Sequence, residues 1–267
     1  MGAGLSVTSR RVTARRILFF GLVSSTILAL VSALTYVFAA DGLRGIEIAM
    51  VVVFALNTPW MVIGFWNAVI GFSLLHFKRD WLRSVTGLSG LKDETSAIGS
   101  RTAIVMPVHN ESPDLVVGNL KAVTDSLDAT GLSDTFDVFL LSDTTDPDIA
   151  LREQALFDAW RDGNERPDRL HYRRRTDNSR QKVGNIEDFC TRWGDGFDFM
   201  IVLDADSVMS GPAILRLVRL MQHNPALGIL QTLVTGMPAS SAFARMFQFG
   251  MRHGMRSYTT GSAWWQG

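Results

Sequence analysis

Two long apolar tracts near the N-terminus limit most strongly how this chain can fold. The first runs from Ile17 to Ala40 without a charged residue, and a polar turn at residues 41–44 separates it from the second, Ile46 to Phe77. A helix needs about 20 apolar residues to cross a bilayer, so the tracts predict a transmembrane hairpin. The second tract exceeds one straight span, and we expect tilt, a kink near Pro59 or an interfacial end.

Basic residues flank the predicted hairpin on its two outer sides. Residues 1–16 contain four arginines and no acid, and Lys78, Arg79 and Arg83 follow the second tract. By the positive-inside rule, we expect the N-terminus and everything after residue 78 to face the cytoplasm. A cleavable signal peptide is the alternative, since Arg10-Arg11 resembles a twin-arginine signal. The length of the apolar core and the second span directly after it favour an uncleaved hairpin.

Net charge and cysteine content limit which partners and cross-links to expect. The chain has 267 residues and a formal net charge of zero, which gives no reason to expect a nucleic-acid partner. Cys190 is the only cysteine, so an internal disulfide is excluded, and we expect this residue to be buried on a helix. The predicted divisions are a basic segment at 1–16, the hairpin at 17–77, a linker at 78–100 and a soluble domain at 101–267.

The soluble part alternates apolar runs with helix-start signals, which predicts an α/β domain with a mostly parallel sheet. The predicted strands are Thr102–Val108, Phe136–Leu141, Leu170–Arg173, Phe197–Leu203 and Leu227–Val234. Helices are predicted to begin at Ser112-Pro113, at Asp146-Pro147, at Asn185 and at Pro212. Apolar residues at helical spacing from Phe243 to Met255, beside arginines, predict either a membrane-surface helix or a core helix.

Charged residues follow several predicted strands at the point where each strand ends. Asp204 and Asp206 come directly after "FMIVL", Asp143 follows a second strand, and Arg174, Arg175, Arg180 and Lys182 follow a third. In parallel α/β sheets, ligands bind beyond the carboxyl ends of the strands, so this edge is the candidate site. Two acids this close repel each other and call for a cation, either a basic side chain or a hard divalent ion such as Mg²⁺ or Mn²⁺.

Four segments, in this order, resemble the membrane-bound inverting family 2 glycosyltransferases. They are "IVMPVHNE", "FLLSDTTDPDIA", "YRRRTDNSRQKVGNIEDFC" and "MIVLDADSVMSGPAILRLVRLM". Within that family the resemblance is greatest to the members that build the β-glucan backbone of osmoregulated periplasmic glucans. It implies a nucleotide-sugar-binding, GT-A-like sheet domain, UDP-glucose as donor, a β-glucan as acceptor, and a multi-pass protein of the bacterial inner membrane with a cytoplasmic enzyme domain.

The resemblance also implies roles for individual residues. The loop with Pro107, Asn110 and Glu111 would lie along the nucleotide, and Asp143 would contact the uracil. The segment with Arg180, Lys182, Gly184 and Asn185 would lie beside the diphosphate. Asp204 would bind ribose and metal, and Asp206 would be the more direct metal ligand. The family's general base belongs to a later motif that this sequence does not contain, so the resemblance implies a donor-binding half.

Other interpretations of the same residues stay open at this point. Asp143 can cap a turn, His109 can serve loop structure, and the Arg173–Arg175 run is by default a solvated face with one inward residue. "IVLDADSV" also resembles the nucleophile strand of haloacid-dehalogenase-like phosphatases, in which that strand is the first of the core domain. A membrane-anchored protein that retains a nucleotide pocket without catalysis is the non-enzymatic alternative.

Overall fold

A computed structural model describes residues 3–86 and 96–267, which form two compact units. One unit comprises the chain up to residue 88 together with residues 231–267, and the other comprises residues 89–230. Residues 87–95 of the predicted linker lie outside the described residues. The helices are α1 (Ala3–Phe38), α2 (Gly45–Phe77), α3 (Trp81–Thr86), α4 (Pro113–Asp128), α5 (Pro147–Asp162), α6 (Gln181–Trp193), α7 (Gly211–His223) and α8 (Ala242–Gln266). The strands are β1 (Thr102–Val108), β2 (Phe136–Ser142), β3 (Leu170–Arg174) and β4 (Phe199–Val202).

The first unit is built from the two apolar helices and α8. The segments Val12–Phe38 of α1 and Gly45–Phe77 of α2 are long and apolar enough to cross a membrane, and α2 runs unbroken through Pro59. Packing of α8 on α2 depends on two glycines: a Cβ atom at Gly71 would lie 1.7 Å from the carbonyl oxygen of Ser257, and one at Gly261 would lie 2.0 Å from that of Asn67. At the other end of α8, Phe243 stays exposed.

The second unit is a parallel sheet covered by helices on both faces, as the strand and helix pattern predicts. The sheet has four strands in the order β3-β2-β1-β4, all parallel. Alternate residues of β1 face opposite sides: Ile104 and Met106 belong to the core cluster that includes α4, α5 and α7, whereas Ala103 and Val105 pack with Phe189 of α6. Both faces of β1 and β2 are therefore buried, which explains their uninterrupted apolar runs.

Three predictions about local structure are wrong. Residues 227–234 form no strand, because they pair with no other strand of the described chain, and Ile229 is 86% exposed. Cys190 lies on a helix as predicted but is exposed, since α6 turns Phe189 toward the sheet instead. That helix begins at Gln181, a full turn before the predicted Asn185, and the residue before it, Arg180, has a left-handed backbone with φ 60°.

Candidate functional site

The strand order reverses between β1 and β4, which are neighbours in the sheet. The chain moves from β1 to β2 and β3 on one side, and then returns to place β4 on the other side of β1. The loops after β1 and β4 are therefore neighbours at the point where the strand order reverses, and this reversal is where open α/β sheets bind ligands. Every residue predicted for the site belongs to a loop or helix start at this edge, or, in the case of Pro107, to the end of β1 itself.

Asn110 joins the loop after β1 to the loop after β2. Its backbone is left-handed, with φ 61°, and its side-chain Oδ1 accepts hydrogen bonds from the backbone N–H groups of Thr145 (3.0 Å) and Asp146 (3.1 Å). Its amide Nδ2 donates to the Thr145 hydroxyl at 3.0 Å. Next to it, Nδ1 of His109 donates to the carbonyl oxygen of Asp143 at 2.8 Å. His109 therefore serves loop structure, as predicted, and Asn110 does the same.

The other two members of the first motif are held by their own loop and strand. The backbone N–H of His109 donates to the Glu111 carboxylate. Pro107 is buried in β1, in register with Leu141 of β2. Its missing N–H keeps it from donating to either neighbouring strand, and its place one residue before the strand end limits the effect on the ladder.

Asp143 is held by a buried, two-pronged ion pair with Arg175. The guanidinium donates from Nε to one carboxylate oxygen at 2.6 Å and from Nη2 to the other at 2.7 Å, and both side chains are at most 10% exposed. The hydrogen bonds to Asp143 raise the pKa of Arg175. The turn-cap interpretation of Asp143 is wrong, because the hydroxyl of Ser142 accepts from the Thr144 N–H instead.

Arg173 and Asn185 form a second buried contact, beneath the first. Arg173 is 8% exposed, and burial lowers its pKa while the charges of Asp188 and Asp143 oppose that change. Its Nη2 donates to the side-chain oxygen of Asn185 at 2.5 Å, and the Asn185 amide donates to the carbonyl oxygen of Leu141 at 2.9 Å. The run was expected to be a solvated face with one inward residue, but both Arg173 and Arg175 point inward, because residues two apart along an extended chain share a face.

Gly184 is required by packing within the protein. A Cβ atom at this position would lie 2.2 Å from the carbonyl oxygen of Ser179 and 3.1 Å from Nη1 of Arg175. The glycine thus lets the loop before α6 fold back on the first turn of that helix. Arg180, in the same loop, is directed to Glu187 of α6, and this pair is exposed.

Asp204 and Asp206 lie in an exposed turn after β4. Nδ2 of Asn119 donates to the carbonyl oxygen of Ala205 between them at 3.0 Å, and the N–H of Ser207 donates to the carbonyl oxygen of Asp204 at 2.9 Å. Nζ of Lys182 contacts the Asp204 carboxylate. A cationic side chain therefore lies beside the acid pair, as its charge requires.

The donor set of this turn fits a hard divalent cation that shares its ligands with a substrate. Two carboxylates supply oxygen donors, and Mg²⁺ is commonly held by one or two protein carboxylates with phosphate oxygens completing the coordination. No group of three or more His, Cys, Asp or Glu side chains suited to a metal occurs in residues 3–86 and 96–267. Protein ligands alone would thus leave most coordination positions to substrate or water.

One continuous set of contacts links the predicted residues across the sheet edge. Asp143 binds Arg175, whose Nη2 also donates to the carbonyl oxygen of Gln181 at 2.8 Å, and the next residue, Lys182, contacts Asp204. Asp143, Lys182 and Asp204 are therefore brought together, whereas Arg180 points away. Sequence reasoning missed Arg175 as the partner of Asp143, although the alternation of β3 carried a signal for it.

Comparison with known proteins assigns the chain to a family. The family model described as Glycosyl transferase family 2 matches residues 103–264, and the chain belongs to this family. The phosphatase interpretation does not agree with the fold, because the Asp-x-Asp turn follows β4, the last strand of the sheet in chain order, and not the first.

The chain is similar to several proteins named glucans biosynthesis glucosyltransferase H. It is 42% identical over 224 residues to the one from Pseudomonas aeruginosa (strain UCBPP-PA14), covering 83% of this chain and 25% of the relative. The one from Shewanella sp. (strain W3-18-1) is 38% identical over 230 residues, covering 86% of this chain and 30% of the relative. The chain thus spans between a quarter and a third of the length of these relatives.

A solved structure also resembles the chain. It is the mannosyltransferase PcManGT from Pyrobaculum calidifontis in complex with GDP-Man and Mn²⁺, with a TM-score of 0.41 and 16% sequence identity over 60% of this chain and 43% of that chain.

Replacing Arg175 by Met is predicted to loosen the sheet edge strongly. It would leave the Asp143 carboxylate buried without its partner, which typically costs about 3–5 kcal/mol. Hydrogen exchange of the β2 and β3 amides in the detergent-solubilised chain measures the change. Arg180→Met is the matched control, since it removes an arginine from an exposed pair and is expected to cost less than about 1 kcal/mol. Equal effects of the two substitutions would contradict the structural role of the Asp143–Arg175 pair.

Proposed function

We propose that this chain is the donor-binding half of a membrane-bound, inverting, metal-dependent glucosyltransferase. The enzyme would transfer glucose from UDP-glucose to a growing β-glucan, the backbone of osmoregulated periplasmic glucans. The observation that carries the proposal is the contact series Asp143–Arg175–Gln181 and Lys182–Asp204, which lies at the carboxyl ends of the strands in a family 2 glycosyltransferase domain. The chain's 42% identity to a glucosyltransferase H supports glucose as the sugar and a glucan as the product.

Each end of this series suits one end of a nucleoside diphosphate. At one end, the Asp143 carboxylate can accept a hydrogen bond from the imide N–H of uracil, since each of its oxygens has a second lone pair. At the other end, Lys182 supplies a point charge for phosphate, and it lies in the first turn of α6, where the helix dipole favours an anion. Pro107, Asn110, Glu111, Gly184 and Asn185 support this surface through the contacts they make within the protein.

Asp204 and Asp206 would hold a Mg²⁺ or Mn²⁺ ion together with the diphosphate. When bound, such an ion would stabilise the negative charge of the diphosphate as it leaves the sugar. The side chains themselves bind and orient: Asn119 fixes the turn, and Lys182 balances Asp204 before the ion and donor arrive. Inverting transfer also needs a base to take the proton of the acceptor hydroxyl, and we assign this role to no residue of this chain.

The proposed metal site leads to a prediction about donor binding. UDP-glucose is expected to bind the purified chain in Mn²⁺, and Asp204→Ala and Asp206→Ala should each weaken that binding about 10- to 100-fold, as loss of a contact to a charged group does. Isothermal titration in detergent measures the affinity. Asp195→Ala, an exposed acid before the amino end of β4, is the control and should bind as wild type. Affinity for UDP-glucose in Mn²⁺ that stays at the wild-type value in both variants would refute the proposed metal role, and release of phosphate from a phosphomonoester would favour the phosphatase.

Lys182→Met is predicted to change two affinities in opposite directions. Removing the lysine frees the Asp204 carboxylate, so Mn²⁺ alone should bind about two- to fivefold more tightly. This is the change in affinity that corresponds to the free energy of an exposed ion pair. Removing the phosphate contact should weaken UDP about tenfold in saturating Mn²⁺. Electron paramagnetic resonance of free Mn²⁺ and nucleotide titration measure the two effects. Lys121→Met on α4 is the control, and weakening of both ligands together would contradict competition between Lys182 and the ion.

The proposed location is the bacterial inner membrane, as a multi-pass protein with the N-terminus and the enzyme domain in the cytoplasm. The two apolar helices and the basic residues on their outer sides support this topology. Alkaline phosphatase, which is active only in the periplasm, is expected to be inactive when fused after Gly90 and active when fused after Leu43, in the turn between the spans. The reverse pattern would overturn the orientation.

A further inference from the structure

A carboxylate that the proposed mechanism does not use lies in the core beneath the site. Glu153 is 0% exposed and occupies the face of α5 that packs on the sheet, four residues before Phe157 and seven before Trp160. An apolar residue would fill this position at lower cost, because a buried carboxylate loses its hydration. In residues 3–86 and 96–267, the ion pairs include none to Glu153.

Two hydroxyl groups donate to this carboxylate, one from each side. Oη of Tyr172 on β3 donates to Oε1 at 2.9 Å, and Oγ1 of Thr144 donates to Oε2 at 3.2 Å. Burial, together with the adjacent charge and hydrogen bond of Glu153, raises the pKa of Tyr172, so its hydroxyl stays protonated and remains a donor. Thr144 belongs to the loop after β2, directly beside Asp143.

The contact to Thr144 fixes more than one side chain. A hydroxyl has a single proton, and Thr144 gives it to Glu153, so its oxygen presents lone pairs to the backbone N–H of Asn110 at 3.2 Å. Asn110 in turn binds the N–H groups of Thr145 and Asp146. The loop after β1 and the loop after β2 are thus joined on both sides of Thr144, with Asp143 next to the junction.

We propose that Glu153 is a positioning residue for the nucleotide: by orienting the Thr144 hydroxyl, it fixes the two loops that hold Asp143 at the sheet edge. Glu153 touches neither donor nor metal and acts through Thr144. The inference rests on the proposed function for what Asp143 binds, but the joining of the two loops is a property of the protein without ligand. The Thr144 hydroxyl donates to Glu153, and this contact sets where the Thr144 proton points.

The test compares one substitution that keeps the volume of Thr144 with another that keeps its hydroxyl. Thr144→Val in the full chain is expected to weaken UDP about tenfold in Mn²⁺ and to speed amide exchange in residues 109–111 and 143–146 without ligand. Thr144→Ser should restore both values to near wild type. Thr124→Val is the matched control, because it removes a fully buried hydroxyl that bonds only the carbonyl oxygen of Leu120 on its own helix.

A double substitution tests whether Glu153 acts through Thr144. Glu153→Gln is expected to weaken UDP binding. The chain with both Glu153→Gln and Thr144→Val should bind UDP no more weakly than Thr144→Val alone, since both substitutions break the same hydrogen bond. Additive losses, or a Thr144→Val chain with wild-type affinity and wild-type loop exchange, would overturn the proposal. If wild type binds no UDP, the proposed function fails, and loop exchange alone decides: faster exchange confined to the two loops in both Glu153→Gln and Thr144→Val supports the role of Glu153, and unchanged exchange in Glu153→Gln refutes it.

Discussion

The paired hydrogen bonds between Asp143 and Arg175 are the interaction on which the rest of the site depends. Both side chains are almost fully buried, and neither charge would be stable there without the other. Because Arg175 also donates to the carbonyl oxygen of Gln181, the pair sets the start of α6 relative to the end of β2. The position of Lys182, and hence its contact with Asp204, follows from this one arrangement.

The parallel sheet explains why these groups meet at all. The carboxyl ends of all four strands lie at the same edge of the sheet. Because β1 lies between β2 and β4, the loops after β2 and β4 are separated by only one strand. Charges that lie far apart in the sequence, at residues 143, 182 and 204, are thereby brought to one surface. A sheet with alternating strand direction would send half of these loops to the opposite edge.

Much of this arrangement could be predicted from the sequence, because its signals are local. The apolar run at Thr102–Val108 and the proline-led helix starts at Pro113 and Pro147 match the structure. The early start of α6 could not be predicted, since the left-handed backbone at Arg180 and Gln181 is carried by residues that rarely adopt it. Residues 227–234 carry a strand-like pattern, but a strand also needs a pairing partner, which pattern does not reveal.

The roles of individual motif residues were the hardest part to predict, because a polar residue can serve either ligand or protein. The side-chain amide of Asn185 donates to the carbonyl oxygen of Leu141 and accepts from Arg173. Asn110 uses both the nitrogen and the oxygen of its side-chain amide to join two loops. Their position in these motifs thus reflects the contacts that they make with the protein's own backbone. Among the residues named for the site, capacity for a ligand remains at the second lone pairs of Asp143 and at the exposed side chains of Lys182, Asp204 and Asp206. A motif of this kind therefore marks where a site is built, and hydrogen-bond accounting is needed to find which of its atoms face the substrate.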